Sequence, residues 1–174
     1  MAGEKKKIFD IEIPAIRQST SALSTTSDLL VGKVIKLDMA KVLRGKNVDA
    51  AFVISKKNDK LQADFISISL IPAFVKRMMR KGISWLEDSF VVKSKDANLQ
   101  IKPFMITKKK IHRSVKNALR IKAKEHITKM VSERGAQDVF SAIIHNELQR
   151  SLTADLKKVY PLSLCEIRVC KIVK

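Results

Sequence analysis

Residues 50–70 (AAFVISKKNDKLQADFISISL) contain two apolar stretches separated by a short polar segment. In the second stretch Ile66, Ile68 and Leu70 alternate with serines, and this period of two is typical of a strand with one buried face. The Asn and Asp at 58–59 favour a turn, because their side chains bond to nearby backbone groups. The segment therefore predicts a β-hairpin, with Ile66, Ile68 and Leu70 on the same side of its second strand.

Other short strands surround this hairpin. Pro103 interrupts one of them, and because proline donates no ladder hydrogen bond it favours an edge position or a bulge. Residues 18–27 are rich in Ser and Thr and carry no charge, which predicts a loop or an extended arm. The further stretches with a strand pattern are 8–13, 31–37, 84–94, 98–107 and 165–173.

Helical periodicity dominates the second half of the chain. Apolar side chains recur every three or four residues in 111–133, as expected for a helix with one buried face. Gly135 ends this helix, a second helix begins at Asp138, and a third lies near 154–159. An earlier short helix is expected over 72–82, between a proline and a glycine.

The order of these elements predicts the fold class. Strands that are followed by a helical segment and one last strand indicate an α+β protein. We expect a mostly antiparallel β-barrel or sandwich, with a helical segment at about 111–160 inserted before the last strand. A length of 174 residues fits one domain. Its expected parts are a basic tail (1–7), a mainly β part (8–107), a basic helical segment (108–160) and a closing strand (161–174).

The charge of the chain predicts a polyanionic partner. The sequence has 35 Lys plus Arg against 17 Asp plus Glu, a net charge of +18. Such an excess favours nucleic acid first and an acidic membrane second, with an affinity that falls steeply with salt. No stretch approaches about 18 uninterrupted apolar residues, and two acids within 8–16 argue against a signal peptide. We therefore expect a cytosolic protein that binds nucleic acid.

One helix side combines cations at regular spacing. Four cations from Arg113 to Lys124 follow steps of three, four and four, so they line one side of the predicted helix. Three lysines at 108–110 precede the helix, whose positive end also attracts phosphate. For the basic cluster at 76–81, RNA contact and a solvated helix face both stay open. The residues predicted to bind RNA are Lys5, Lys6, Lys7, Lys56, Lys57, Lys60, Lys108, Lys109, Lys110, His112, Arg113, Lys116, Arg120 and Lys124.

No residue pattern indicates catalysis. The five glycines are scattered, so there is no Gly-rich phosphate loop, and the three histidines are far apart, with no zinc spacing to cysteine. We predict no catalytic residue, no metal and no cofactor, and His126 is expected to be a packed core histidine. Because aromatic residues are few, stacking on single-stranded bases is not expected. The composition favours recognition of RNA backbone and shape.

The chain has two cysteines, both in the predicted closing strand. Cys165, Ile167 and Val169 alternate and are expected to face inward, which puts Cys170 on the opposite side. Two residues five apart on a strand cannot form a disulfide with each other. Reduced thiols fit a cytosolic protein.

Four sequence blocks occur in one order over nearly the whole chain. They are KIFDIEIPA (7–15), GKVIKLDMA (32–40), MITKKKIHR (105–113), and VYPL (159–162) followed by IRVCK (167–171). Together they resemble the small-subunit ribosomal protein family of archaea and eukaryotes called S-three-a-e, or S-one-e. Two departures are Lys36, where the family often has Glu, and the absence of a Trp near the start.

The resemblance implies a place and partners for the protein. It implies a barrel with associated helices on the platform of the small ribosomal subunit, near the messenger exit and beside the 3′ end of the small-subunit RNA. The implied partners are that RNA, neighbouring ribosomal proteins and initiation factors. From the residues alone, a free RNA-binding regulator and an RNA-modifying enzyme remain alternatives, although the enzyme would lack a nucleotide-binding loop.

Overall fold

The computed structural model describes residues 6–40, 43, 46–57 and 60–173, and within them it contains one sheet and four α-helices. The sheet has nine strands. The strands are β1 (Lys7–Ile13), β2 (Gln18–Ser24), β3 (Val34–Asp38), β4 (Val48–Lys57), β5 (Lys60–Leu70), β6 (Trp85–Glu87), β7 (Phe90–Lys93), β8 (Asn98–Thr107) and β9 (Leu162–Val173). The helices are α1 (Pro72–Met78), α2 (Arg113–Ser132), α3 (Ala136–Ile144) and α4 (Glu147–Leu156).

The closing strand lies in the middle of the sheet. The main strand order is β2-β1-β5-β9-β8-β6, while β4 joins β3 to β5 and β7 pairs with β8. Because α2, α3 and α4 lie between β8 and β9 in sequence, they form the predicted insertion before the last strand. The α+β class is confirmed. Among the described residues β2, β3, β6 and β7 each have one strand partner, so the sheet is not a closed barrel. The organisation as a single domain stays a prediction.

The helices cover the sheet with regularly spaced apolar side chains. In α2 the buried residues Leu119, Ala123, Ile127 and Val131 follow one another at steps of four. This spacing places them on one face, because residues four apart lie above one another on a helix. The predicted period of 111–133 is therefore confirmed.

Three phenylalanine rings join the sheet to α3. Phe65 of β5 lies with its ring centroid 4.4 Å from that of Phe52 in β4 and 5.4 Å from that of Phe140 in α3. The side chain of Gln137 also bonds to the backbone of Phe65, accepting from its N–H (3.2 Å) and donating to its carbonyl (3.1 Å). Phe65 is thus the centre of the contact between sheet and helices.

The described strands contain three register shifts, and two of them contradict predictions about which side chains are buried. On β5, Ser67 pairs with Ala51 and Phe65 pairs with Phe52, so Ile66 is an extra residue. An inserted residue reverses the alternation beyond it. Phe65 is therefore buried and Ile66 only half-buried, and the prediction that Ile66 shares a side with Ile68 is wrong.

The second bulge affects the cysteines. On β9 the extra residue is Arg168, next to Pro103 of β8, so the bulge expected at Pro103 is confirmed. Beyond it Val169 is half-buried, while Cys170 lies on the same buried side as Cys165. The prediction that the two thiols face opposite sides is wrong. Both cysteines are free, as expected from their separation.

The buried thiols should be chemically inert in the folded protein. Burial raises the pKa of Cys165 from 9.0 to about 12, partly offset by a hydrogen bond from Thr153, and burial also raises the pKa of Cys170 to about 12. At pH 8 we expect a thiol reagent to react roughly a thousandfold more slowly with folded than with unfolded protein, because only the thiolate is nucleophilic. Absorbance kinetics with and without denaturant measure this difference. Equally fast reaction of the folded protein would contradict the burial of the thiols.

The same shift has a defined effect on stability. A thiol whose pKa is higher in the folded state stabilises the fold fully below its unfolded pKa, here 9.0, and this contribution is lost as the pH rises to about 12. Denaturant titrations should therefore show stability falling across that alkaline range.

One element type and two helix ranges differ from the predictions. Residues 18–24 form strand β2, paired with β1, rather than a loop. The last helix is Glu147–Leu156 rather than 154–159, and α1 ends at Met78, before Gly82. The turn expected at 58–59 lies outside the described residues.

Candidate nucleic-acid interface

The four cations predicted to form a stripe lie along one flank of α2. Arg113, Arg120 and Lys124 are exposed, and Lys116 is half-buried. Within the part of the chain that the structure describes, none of the four has a carboxylate oxygen within 4.0 Å. Glu125 follows Lys124 directly and so projects about 100° further around the helix. This stripe is therefore a row of cations that no acid of the described segments pairs with.

Contact with the sheet fixes the orientation of α2. The helix packs against β7, and the ammonium group of Lys124 lies 6.0 Å from the centroid of the Phe90 ring. A cation over an aromatic face is attracted to it, yet Lys124 stays exposed. The stripe thus borders the packed face of α2.

The three lysines that precede α2 are exposed on a firmly held backbone. The Thr107 hydroxyl is buried 2.9 Å from the Ser84 carbonyl and 2.7 Å from the Lys109 carbonyl. The Ser84 hydroxyl accepts a hydrogen bond from the Ile111 N–H at 3.2 Å. The backbone at 108–110 is therefore tied to the end of β8. Lys108, Lys109, Lys110 and His112 are all exposed beside the amino end of α2, which adds its own positive dipole.

The lysines of the β4–β5 hairpin are partly neutralised. The Lys56 ammonium lies 3.5 Å from an Asp28 carboxylate oxygen, and that of Lys60 lies 3.3 Å from Glu12. These pairs are exposed and individually weak, but they lower the local positive charge. The side chain of Lys57 lies outside the described residues. Lys56 and Lys60 therefore differ from the four cations of the α2 stripe, which have no carboxylate partner among the described residues.

The amino-terminal lysines can be located only in part. Lys6 and Lys7 are exposed, and Lys7 begins β1. Lys5 lies outside the described residues.

Two cations of the cluster at 76–81, for which the sequence leaves RNA contact open, lie close to the segment before α2. Arg77 and Arg80 line a groove of about 680 Å³ together with Lys108. The sequence shows a basic cluster at 76–81 but gives no sign that it meets the segment before α2. The fold therefore extends the predicted basic surface from α2 towards α1.

Other titratable residues of α2 and β1 are either ion-paired or exposed. His126 is mostly buried, with its Nε2 atom 3.1 Å from an Asp155 carboxylate oxygen, so the prediction of a packed histidine is confirmed. Asp10 and Glu12 are exposed on β1. Of the residues described, no three His, Cys, Asp or Glu side chains come together as metal ligands would. No helix within them is both long and apolar enough to cross a membrane.

Comparison with known proteins identifies similar sequences. The sequence profile of the Ribosomal S3Ae family matches residues 3–174. A protein of Nanoarchaeum equitans named small ribosomal subunit protein eS1 is 27% identical over 176 residues, which cover 96% of this chain and 89% of that protein. Proteins of the same name from Saccharolobus islandicus (strain L.S.2.15) and Saccharolobus solfataricus are 28% identical over 123 residues. That alignment covers 70% of this chain and 59% of each Saccharolobus protein.

Proposed function

Because the chain belongs to the ribosomal S3Ae family, we propose that it is a structural constituent of the small ribosomal subunit and attaches to ribosomal RNA. The observation that carries this proposal is the row of cations on α2, which have no acidic partner within the described ranges. Unpaired exposed cations in a protein of net charge +18 repel one another. A dense row of phosphates relieves that repulsion.

The proposed contact is with the RNA backbone and not with base sequence. From Arg113 to Lys124 the stripe extends about 16 Å along the helix axis, and the lysines at 108–110 continue it past the amino end of α2. Such a surface can follow consecutive phosphates. Phosphate contacts fix position and orientation, while sequence is recognised mainly at base edges. The protein would therefore recognise the shape of folded RNA.

The family membership also suggests a location. We place the protein on the platform of the small subunit, near the messenger exit and the 3′ end of the small-subunit RNA, in cytoplasmic ribosomes. Neighbouring ribosomal proteins would contact its remaining surface, and initiation factors would dock close by. This placement follows from the resemblance of the sequence blocks to the family.

The salt dependence of RNA binding tests the proposed attachment. If the seven cations of 108–110 and the stripe each displace one counterion, log K against log salt should have a slope of about −5 to −6. Fluorescence anisotropy with labelled small-subunit RNA fragments between about 50 and 300 mM KCl would measure the slope. No binding at the lowest salt, or a slope near zero, would contradict the proposal.

A free RNA-binding regulator would use the same cationic surface, and it is the alternative. Sedimentation distinguishes the two hypotheses. A structural constituent should stay with small subunits through a sucrose gradient at moderate salt, while a free regulator should remain near the top.

A further inference from the structure

A groove beside α1 combines cations with apolar side chains. Its volume is about 680 Å³, within the range of about 300–1,000 Å³ that is usual for ligand pockets. None of the described residues that line it is acidic. The lining residues used below are Phe74, Arg77, Met78, Arg80, Lys108 and Leu164.

The cations of the groove are exposed and its apolar residues are half-buried. Arg77, Arg80 and Lys108 are exposed, and of the residues described no carboxylate lies within ion-pair distance of them. Phe74 and Met78 are half-buried. The groove therefore offers positive charge next to apolar surface that is not fully covered by the protein.

One planar cation in the groove is held against an aromatic ring. The guanidinium carbon of Arg77 lies 5.5 Å from the centroid of the Phe74 ring. RNA-binding proteins stack unpaired bases on such aromatic rings and on guanidinium planes. An unpaired base can thus stack on the Arg77 guanidinium, in the way that the guanidinium itself lies over the Phe74 ring.

Hydrogen bonds hold the backbone of the segment that brings Lys108 to the groove. Lys108 follows Thr107, whose buried hydroxyl lies within hydrogen-bonding distance of the backbone at both Ser84 and Lys109. A cation on a fixed backbone loses only side-chain freedom when it binds. The backbone that carries Lys108 is therefore in place before a ligand arrives.

We propose that this groove binds one unpaired nucleotide of RNA, with its base stacked on the Arg77 guanidinium and its phosphate facing Arg80 and Lys108. The inference rests on the proposed attachment to ribosomal RNA and names a nucleotide conformation that the attachment itself does not require. A nucleotide joins a flat base to a negative charge, which matches both parts of the groove. An acidic peptide would satisfy the cations but would leave the stacking surface without a flat partner.

Two RNA hairpins of equal length test the proposal, one fully paired and one with a single bulged nucleotide. We expect the protein to bind the bulged hairpin about tenfold more tightly, because stacking of one base contributes an effect of that order. Arg77→Lys keeps the charge but removes the planar guanidinium. It should abolish the preference, so that the two hairpins bind with equal affinity. Phe74→Leu should reduce the preference as well, since Arg77 loses its support.

The matched control is Arg150→Lys, the same exchange at an exposed arginine of α4, which should retain the preference. Equal binding of both hairpins by the unmodified protein, or a preference that survives Arg77→Lys, would overturn the groove proposal while the proposed attachment stands. If neither hairpin binds, the attachment fails too. If the hairpins are not distinguished but an aspartate-rich peptide binds in a manner that the charge reversal Arg77→Glu abolishes, the occupant is a protein segment and the proposal is wrong.

Discussion

Reversing two charges of the α2 stripe, Arg113→Glu with Arg120→Glu, should weaken binding to small-subunit RNA by on the order of a hundredfold near 0.1 M salt. Each lost phosphate contact also reduces the steepness of the salt dependence by about one unit, so the slope should become shallower by about two. Both side chains are exposed and have no acidic partner among the described residues. The thermal midpoint should therefore change little. Anisotropy titrations and incorporation into small subunits measure the two effects.

The matched control reverses two other charges of the same helix. Lys122 and Lys129 lie roughly 170° around α2 from the stripe, so Lys122→Glu with Lys129→Glu changes the net charge equally. If the stripe contacts phosphate, this control should weaken binding by far less. Equal losses for the two double variants would mean that only net charge matters and that the stripe is not the contact surface.

The sequence predicts this stripe because its four cations belong to one helix and are close in sequence. Spacing alone places the cations between Arg113 and Lys124 on one helix side. Partners that are distant in sequence could not be predicted in the same way. Lys56 and Lys60 are paired with Asp28 and Glu12, acids 28 and 48 residues away in the chain. Counting nearby acids does not detect such pairs.

The groove also depends on residues that are distant in sequence, and here they are cations that come together. The cations at 76–81 belong to α1 and its following turn, and Lys108 follows β8. They meet because α1 packs on the core, with Val75 buried and Phe74 and Met78 half-buried against it. No spacing rule connects segments about thirty residues apart, so spacing alone predicts two separate basic clusters where the fold has one surface.

The fold class was predictable and the details of register were not. The alternation of apolar and polar residues predicts the β4–β5 and β7–β8 hairpins, because a strand with one buried face requires this pattern. The bulges at Ile66 and Arg168 break that alternation by one residue each. Isoleucine is apolar wherever it lies, so its identity does not indicate a bulge.

The predicted boundaries of the last helices are wrong for a local reason. Asn146 adopts a left-handed conformation at φ 59° and separates α3 from α4. Asparagine tolerates this conformation better than most residues, yet it also occurs within helices. The sequence therefore does not indicate the break between α3 and α4, and the predicted last helix starts too far along the chain.

Removing the central ring of the aromatic cluster should have the largest effect on stability. Phe65 is 1% exposed and touches Phe52 and Phe140, so Phe65→Ala leaves a cavity between the sheet and α3. Such substitutions cost about 3–5 kcal/mol, and a domain has only about 5–15 kcal/mol in total. We expect Tm to fall by roughly 10–15 °C, measured by calorimetry or circular dichroism.

The control for this substitution is Phe9→Ala, because Phe9 is half-buried on β1 outside the cluster and should cost clearly less. Below its own transition Phe65→Ala should still bind RNA, since the stripe on α2 does not include the cluster. A loss of stability below about 1 kcal/mol would mean that the helices do not depend on this contact. Loss of RNA binding by a still-folded variant would mean that α2 is positioned through α3 and Phe65, and not by its own packing against β7.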